Sequence, residues 1–251
     1  CADLPTVTAT DVCPAGALWE YQMTLHSPGV HHAPPAPVPH GVADSGGANA
    51  DGGAKADGGT KVDGGADAAR AAICELCRLF WRLGWASGTG GGIAVRDGER
   101  IFMAPSGVEK EKLAPSDIFE LDRSGAVVTP PGDGKRLTAC APLFMAAFKH
   151  RDAGAVLHSH SLNVVLASAL VPSGQPLRLT RLEMMKGLEG VGYFDVHEVP
   201  VVDNTALEHE LEARMEAAVL AFPKANAVIV RNHGVYIWGR DTSHAKTQAE
   251  C

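Results

Sequence analysis

A chain of 251 residues with 45% hydrophobic content is long enough for one large domain or two small ones. Its formal net charge of -7 argues against nucleic acid or an anionic membrane surface as partner, because both require a net basic face. No apolar run approaches the ~18 to 20 residues that span a bilayer, and six cysteines without the dense spacing of a disulfide scaffold point to a reducing, cytoplasmic compartment.

Residues 1–68 are rich in Gly, Pro, Ala and Asp, with a Pro-rich patch at 32–40 and a degenerate repeat that places Asp-Gly-Gly after Ala50, Ala56 and Val62. No repeat carries a large apolar residue, so the expectation is a disordered leader, and His26, His31, His32 and His40 within it receive no site role. The periodic apolar pattern belongs to residues 69–251, read as one domain. A helix is predicted over 67–83, with Asp67 as N-cap, Gly84 as terminator, and Ile73, Leu76, Cys77, Phe80 and Trp81 on its buried face. Cys74 and Cys77 share a helix face at three-residue spacing and read as buried thiols rather than a redox or zinc pair.

The run Ser87-Gly-Thr-Gly-Gly-Gly92 precedes a predicted hairpin, 93–95 and 100–104 around Asp97-Gly98. Such a run lets backbone amides approach an anion, yet on its own it reads more readily as a plain flexible turn. Pro105-Ser-Gly107 adds a hydroxyl and another free amide. A strand at 118–122, a loop at 125–134, a helix at 137–150, a strand ending in His-x-His and a helix at 163–170 follow. The remainder reads as a glycine-rich loop at 187–193, a strand at 199–202, a helix at 205–222, strands at 227–230 and 235–238, and a helix from Asp241. Antiparallel-looking strand pairs alternating with helices give an α/β protein with a three-layer α/β/α fold and a mainly antiparallel central sheet.

Within Ala155-Val-Leu-His-Ser-His160 the side chains alternate faces, so His158 and His160 point the same way. Paired imidazoles are favoured ligands for zinc and related ions, and a catalytic zinc takes three protein ligands with a fourth position open. The third candidate is His233, at the end of the apolar run 227–230 and ahead of Gly234. Hydrogen-bonded strand-end histidines are the plainer alternative.

Six motifs in order carry a resemblance. They are Leu83-Gly-Trp-Ala-Ser-Gly-Thr-Gly-Gly-Gly92, Ala104-Pro-Ser-Gly107, Cys140-Ala-Pro-Leu-Phe144, His158-Ser-His160, Glu183-Met-Met-Lys-Gly187 and Arg231-Asn-His-Gly-Val-Tyr-Ile-Trp-Gly239. From about Ile73 onward the chain resembles the class II aldolase/adducin superfamily and, within it, the methylthioribulose-1-phosphate dehydratase family of methionine salvage. That resemblance implies one zinc per subunit held by His158, His160 and His233, and Glu183 as catalytic acid/base. It further implies Cys140 in the substrate pocket, and Gly90, Gly91, Ser106 and Gly107 around the phosphate of a small sugar-phosphate substrate. It implies a homotetramer, and a C-terminal helical segment beyond the equivalent of Cys251, so the chain is expected to be truncated. A sugar-phosphate aldolase would carry its acid/base Glu just ahead of the His-x-His strand, where Arg136-Leu-Thr-Ala-Cys-Ala-Pro142 has no carboxylate. A non-catalytic adducin-like module would be expected to lose the three histidines.

Overall fold

The computed structural model describes residues 64–132 and 134–251; the expected leader up to position 63, with its repeats and histidines, lies outside the described residues. Helix α1 (Gly64–Arg82) buries Ile73, Cys74, Leu76, Cys77 and Phe80, as the apolar spacing predicts. It begins ahead of Asp67, which sits in the first turn, where its carboxylate faces the positive end of the helix dipole, rather than at the cap. Trp81 is a second correction: it is 48% exposed, one residue and so about 100° around the helix from Phe80. The ring that packs edge-on against Phe80 is Trp85, with centroids 5.2 Å apart.

Ten strands follow: β1 (Gly92–Asp97), β2 (Arg100–Met103), β3 (Phe119–Asp122), β4 (Val127–Thr129), β5 (Ala155–Ser159), β6 (Leu177–Leu179), β7 (His197–Val199), β8 (Val201–Val202), β9 (Ala227–Val230) and β10 (Gly234–Gly239). Eight form one sheet in the order β4-β3-β2-β1-β5-β10-β9-β8, and only the terminal β8–β9 pair in it is parallel. Between the strands lie α2 (Ala141–Arg151), α3 (Leu162–Leu170) and α4 (Glu212–Ala221), and α5 (Thr242–Glu250) follows β10. Side-chain alternation divides the sheet between two cores. Ala94, Ile101, Met103, Val156, Tyr236 and Trp238 pack with α2 and α4, whereas Ile93, Val95, Phe102, Ala155 and Leu157 pack with α1 and Ala245 of α5. The result is the expected α/β/α sandwich, with β1 and β5 at the middle of its sheet and β10 beside β5.

Local departures have local causes. Helix α2 starts at Ala141 rather than 137, because Pro142 fits only the first turn. The expected strand at 199–202 breaks at Pro200, which has no N–H for a ladder; β7 pairs with β6 in a separate two-stranded sheet, while β8 joins β9. Part of the expected loop at 125–134 is the edge strand β4. The helix expected from 205 is a 3-10 turn, Glu208–Leu211, followed by α4. At the last helix Asp241 caps α5, its carboxylate accepting from the His244 amide at 2.7 Å. No described helix is long and apolar enough to cross a membrane.

Burial pushes the Cys77 thiol up to about 12, against partial opposition from Lys110. At pH 8 only about one molecule in 10⁴ then carries the reactive thiolate. Native protein at pH 8 is expected to leave Cys77 unmodified by iodoacetamide, and denatured protein to alkylate it fully, as read by peptide mass. Rapid native labelling would contradict the packing of α1.

Candidate metal centre

His158 is the penultimate residue of the fully buried strand β5, and its ring stacks on Tyr236, its register partner on β10, with centroids 4.0 Å apart and planes 9° from parallel. His160 follows one residue past the strand, its amide bonded to the Trp85 carbonyl at 2.8 Å. His233 comes from the tight connection between β9 and β10. Asn232 there adopts a left-handed φ of 55°, which Asn tolerates better than most residues, and turns the next side chain back over the sheet end. The three rings converge: His160 Nε2 lies 2.9 Å from His158 Nε2 and 3.2 Å from His233 Nε2.

The Val235 carbonyl accepts from His158 Nδ1 at 3.2 Å, and Asn204 Oδ1 accepts from His233 Nδ1 at 3.3 Å. With those bonds made, the Nε2 of both rings is a lone pair aimed inward, and the single proton His160 Nε2 could carry satisfies only one of them. A cation shared by all three removes the conflict, and outer hydrogen bonds of this kind are how ligating histidines are oriented. Burial, with the neighbouring His160 and His233, holds His158 well below the usual imidazole value. Burial, His233 and Lys110 take His160 down to about 4, and burial lowers His233 against the pull of Glu208. All three rings are therefore neutral near pH 7, the state that coordinates a metal. The donor set fits a divalent ion: His158, His160 and His233 offer atoms mutually within 4.8 Å.

The glycines read from the sequence lie beside these histidines. A Cβ on Gly90 would stand 2.5 Å from His160 Nδ1, and Gly91 holds φ +72° with its would-be Cβ 3.0 Å from the His158 carbonyl oxygen. Glycine is thus required at 90 by the close approach of the His160 imidazole and at 91 by the left-handed backbone, whatever else their amides bind. Ser106 bridges to Arg136 through its amide, 2.9 Å from the Arg136 carbonyl, and Gly107 has φ +67°. Lys110 joins these two loops: only 1% exposed, it donates to the Thr89 and Val108 carbonyls at 2.9 and 3.2 Å. Nothing in its sequence context distinguished it from a surface lysine.

Cys140 is buried at the start of α2, and its thiol, pushed up to about 12 by burial and by the charge of Glu208, donates to the Glu208 carboxylate at 3.5 Å. Glu183, by contrast, is not brought to the histidines. Its carboxylate is 75% exposed on the 3-10 turn Glu183–Gly187 and pairs with Lys186 at 2.9 Å. The carboxylate that the fold does bring there is Glu208, with Oε1 3.6 Å from His233 Nε2 and 3.9 Å from His158 Nε2.

A sandwich of this topology with three neutral imidazoles converging at one end of β5 and β10 is an α/β domain with a candidate metal-binding triad. The chain belongs to the class II aldolase and adducin N-terminal domain family, whose model matches residues 71–251. Among curated relatives, the probable bifunctional methylthioribulose-1-phosphate dehydratase/enolase-phosphatase E1 of Arabidopsis thaliana is 47% identical over 193 residues, covering 71% of this chain and 38% of that protein. Its namesake in Populus trichocarpa is 40% identical over 230 residues, 86% of this chain and 44% of that one. The chain spans well under half the length of either relative. In structure it is similar to an aldolase II superfamily protein from Pseudomonas syringae, with TM-score 0.61 and 20% identity over 76% of this chain and 72% of that one. It is similar also to L-fuculose-1-phosphate aldolase from Thermus thermophilus, with TM-score 0.55 and 21% identity over 72% and 87%. At those identities the structural likeness speaks to the fold alone.

Proposed function

We propose that the chain is a zinc-dependent hydro-lyase that converts 5-methylthioribulose 1-phosphate to 2,3-diketo-5-methylthiopentyl 1-phosphate in methionine salvage. The observation that carries the reading is the convergence of three neutral imidazoles on one point, in a chain 47% identical to a protein named for that dehydratase activity. His158, His160 and His233 would hold the zinc ion, which would supply Lewis-acid polarisation of the C2 carbonyl and so make the C3 proton more acidic. Glu183 takes that proton and returns one to the C4 hydroxyl, which departs as water; the enol left behind tautomerises to the diketone. Because Glu183 stands on an exposed turn, this role requires its segment to close over the site on substrate binding or subunit assembly. Cys140 lines the pocket, and the amides of Gly90, Gly91 and Gly107 with the Ser106 hydroxyl anchor the phosphate, which converts remote binding into orientation at C3 and C4. The working form in this reading is a homotetramer in the cytoplasm, without a nucleic-acid or membrane partner, and residues 1–68 are a separate leader to a domain over 69–251.

Glu183→Gln keeps the shape and removes the proton acceptor. It is expected to lower turnover by roughly 10² to 10⁴-fold with metal content unchanged; undiminished turnover would move the acid/base role elsewhere. A sugar-phosphate aldolase is the second reading, and Glu208 is the observation that favours it, since it supplies a carboxylate beside Cys140. Product mass separates the two. Dehydration gives one product lighter than the substrate by a water, whereas aldol cleavage gives two fragments.

A further inference from the structure

The Glu208 carboxylate has a position that ordinary pairing does not explain. At 3.6 and 3.9 Å from the His233 and His158 Nε2 atoms it is too far to accept a hydrogen bond from either ring. Yet one oxygen, Oε1, faces both rings and also accepts from the Cys140 thiol at 3.5 Å. Donor atoms at the corners of a tetrahedron around zinc, each about 2.0 to 2.2 Å from the ion, stand about 3.3 to 3.6 Å from one another. Four of the six separations among the donor atoms of His158, His160, His233 and Glu208 are 2.9, 3.2, 3.6 and 3.9 Å, on either side of that span. The side chain is set from behind: the 3-10 turn that starts at Glu208 ends at Leu211, which is fully buried in the core under α2 and α4.

We infer that Glu208 is the fourth protein ligand of the metal centre in the absence of substrate, with the Cys140 thiol holding its carboxylate in place. The inference rests on the reading that a divalent ion sits among His158, His160 and His233. The start of α2 supplies the Cys140 thiol, and the carboxylate arrives from the turn before α4. Its side chain is 26% exposed, so an entering substrate oxygen can displace it toward solvent without disturbing the core.

Cobalt(II) titration of the full chain tests this, with affinity read by chelator competition and coordination by the visible d–d band. Wild-type protein is expected to bind one ion with the intense band of four-coordinate cobalt. Glu208→Gln should bind it at least about tenfold more weakly, with a band of altered energy and lower intensity. In Glu208→Ala, added acetate should restore the wild-type band. Unchanged affinity in Glu208→Gln, or weaker binding with an unchanged band, would overturn the assignment and leave Glu208 an outer group. Wild-type protein that bound no cobalt would overturn the histidine reading itself, and the Glu208 assignment with it.

Discussion

With His160→Ala, the protein is expected to keep its fold and lose its metal. His160 is the ring that touches both of the others, 2.9 Å from one and 3.2 Å from the next, so its removal takes away the imidazole that links them. The two remaining histidines, with the Glu208 carboxylate 3.6 and 3.9 Å from them, hold a zinc ion far more weakly than three converging imidazoles do. The loss of Lewis-acid stabilisation, several kcal/mol, should reduce turnover of the sugar phosphate by at least about 10³-fold. Stability should not fall in the metal-free state, because burial already disfavours the charged form of this ring and no core packing depends on it. Metal analysis and a thermal melt check both halves. One ion per chain in the variant, bound as tightly as in wild type, would remove His160 from the centre.

Gly234→Ala should do the reverse and damage fold and site together. A Cβ at this position would overlap the Ser159 carbonyl oxygen, with the Ser159 carbon 3.1 Å away and the His160 Cα 3.2 Å away. These are backbone atoms of the neighbouring strand, and β10 pairs with β5 there in the register Val235 to Ser159. No rotamer change relieves the collision, so strands β5 and β10 must separate. A cost of about 3 to 5 kcal/mol follows, which in a domain of this size lowers the melting temperature by roughly 10 °C. Because Gly234 also lies between His233 and the strand that carries His158, metal affinity should fall as well. Gly132→Ala is the control: its Cβ meets nothing within 4 Å and its φ is not positive, so it should melt as wild type does.

Much of this arrangement was legible in the sequence, for reasons that are local. Strand alternation alone puts His158 and His160 on one side, Asp97-Gly98 specifies the β1–β2 hairpin, and the apolar runs around His233 mark two strands with a tight connection. What sequence could not give depends on partners far along the chain. The short strands β4, β6 and β7 are recognisable only once their neighbours are placed, and the break at Pro200 matters only because β7 and β8 go to different sheets. Lys110 reads as one more charge in Glu109-Lys-Glu-Lys112, and its burial comes from two carbonyls that the fold closes over it. Glu208 is hidden for the same reason. In Leu207-Glu-His-Glu-Leu-Glu212 it is one of three carboxylates with the look of a solvated helix face. Only the kink from 3-10 turn to α4 directs it at the histidines. Glu183 is the opposite case, singled out by a motif and placed by the structure on an open turn beside Lys186.

The most direct test measures metal content and turnover on the same sample of the 251-residue protein, before chelation, after chelation and after stepwise addition of zinc. The account predicts one bound ion per chain, loss of 5-methylthioribulose 1-phosphate dehydration on chelation, and recovery in proportion to the zinc restored. Full turnover in metal-free protein, or no dehydration with one zinc held by each chain, would contradict it.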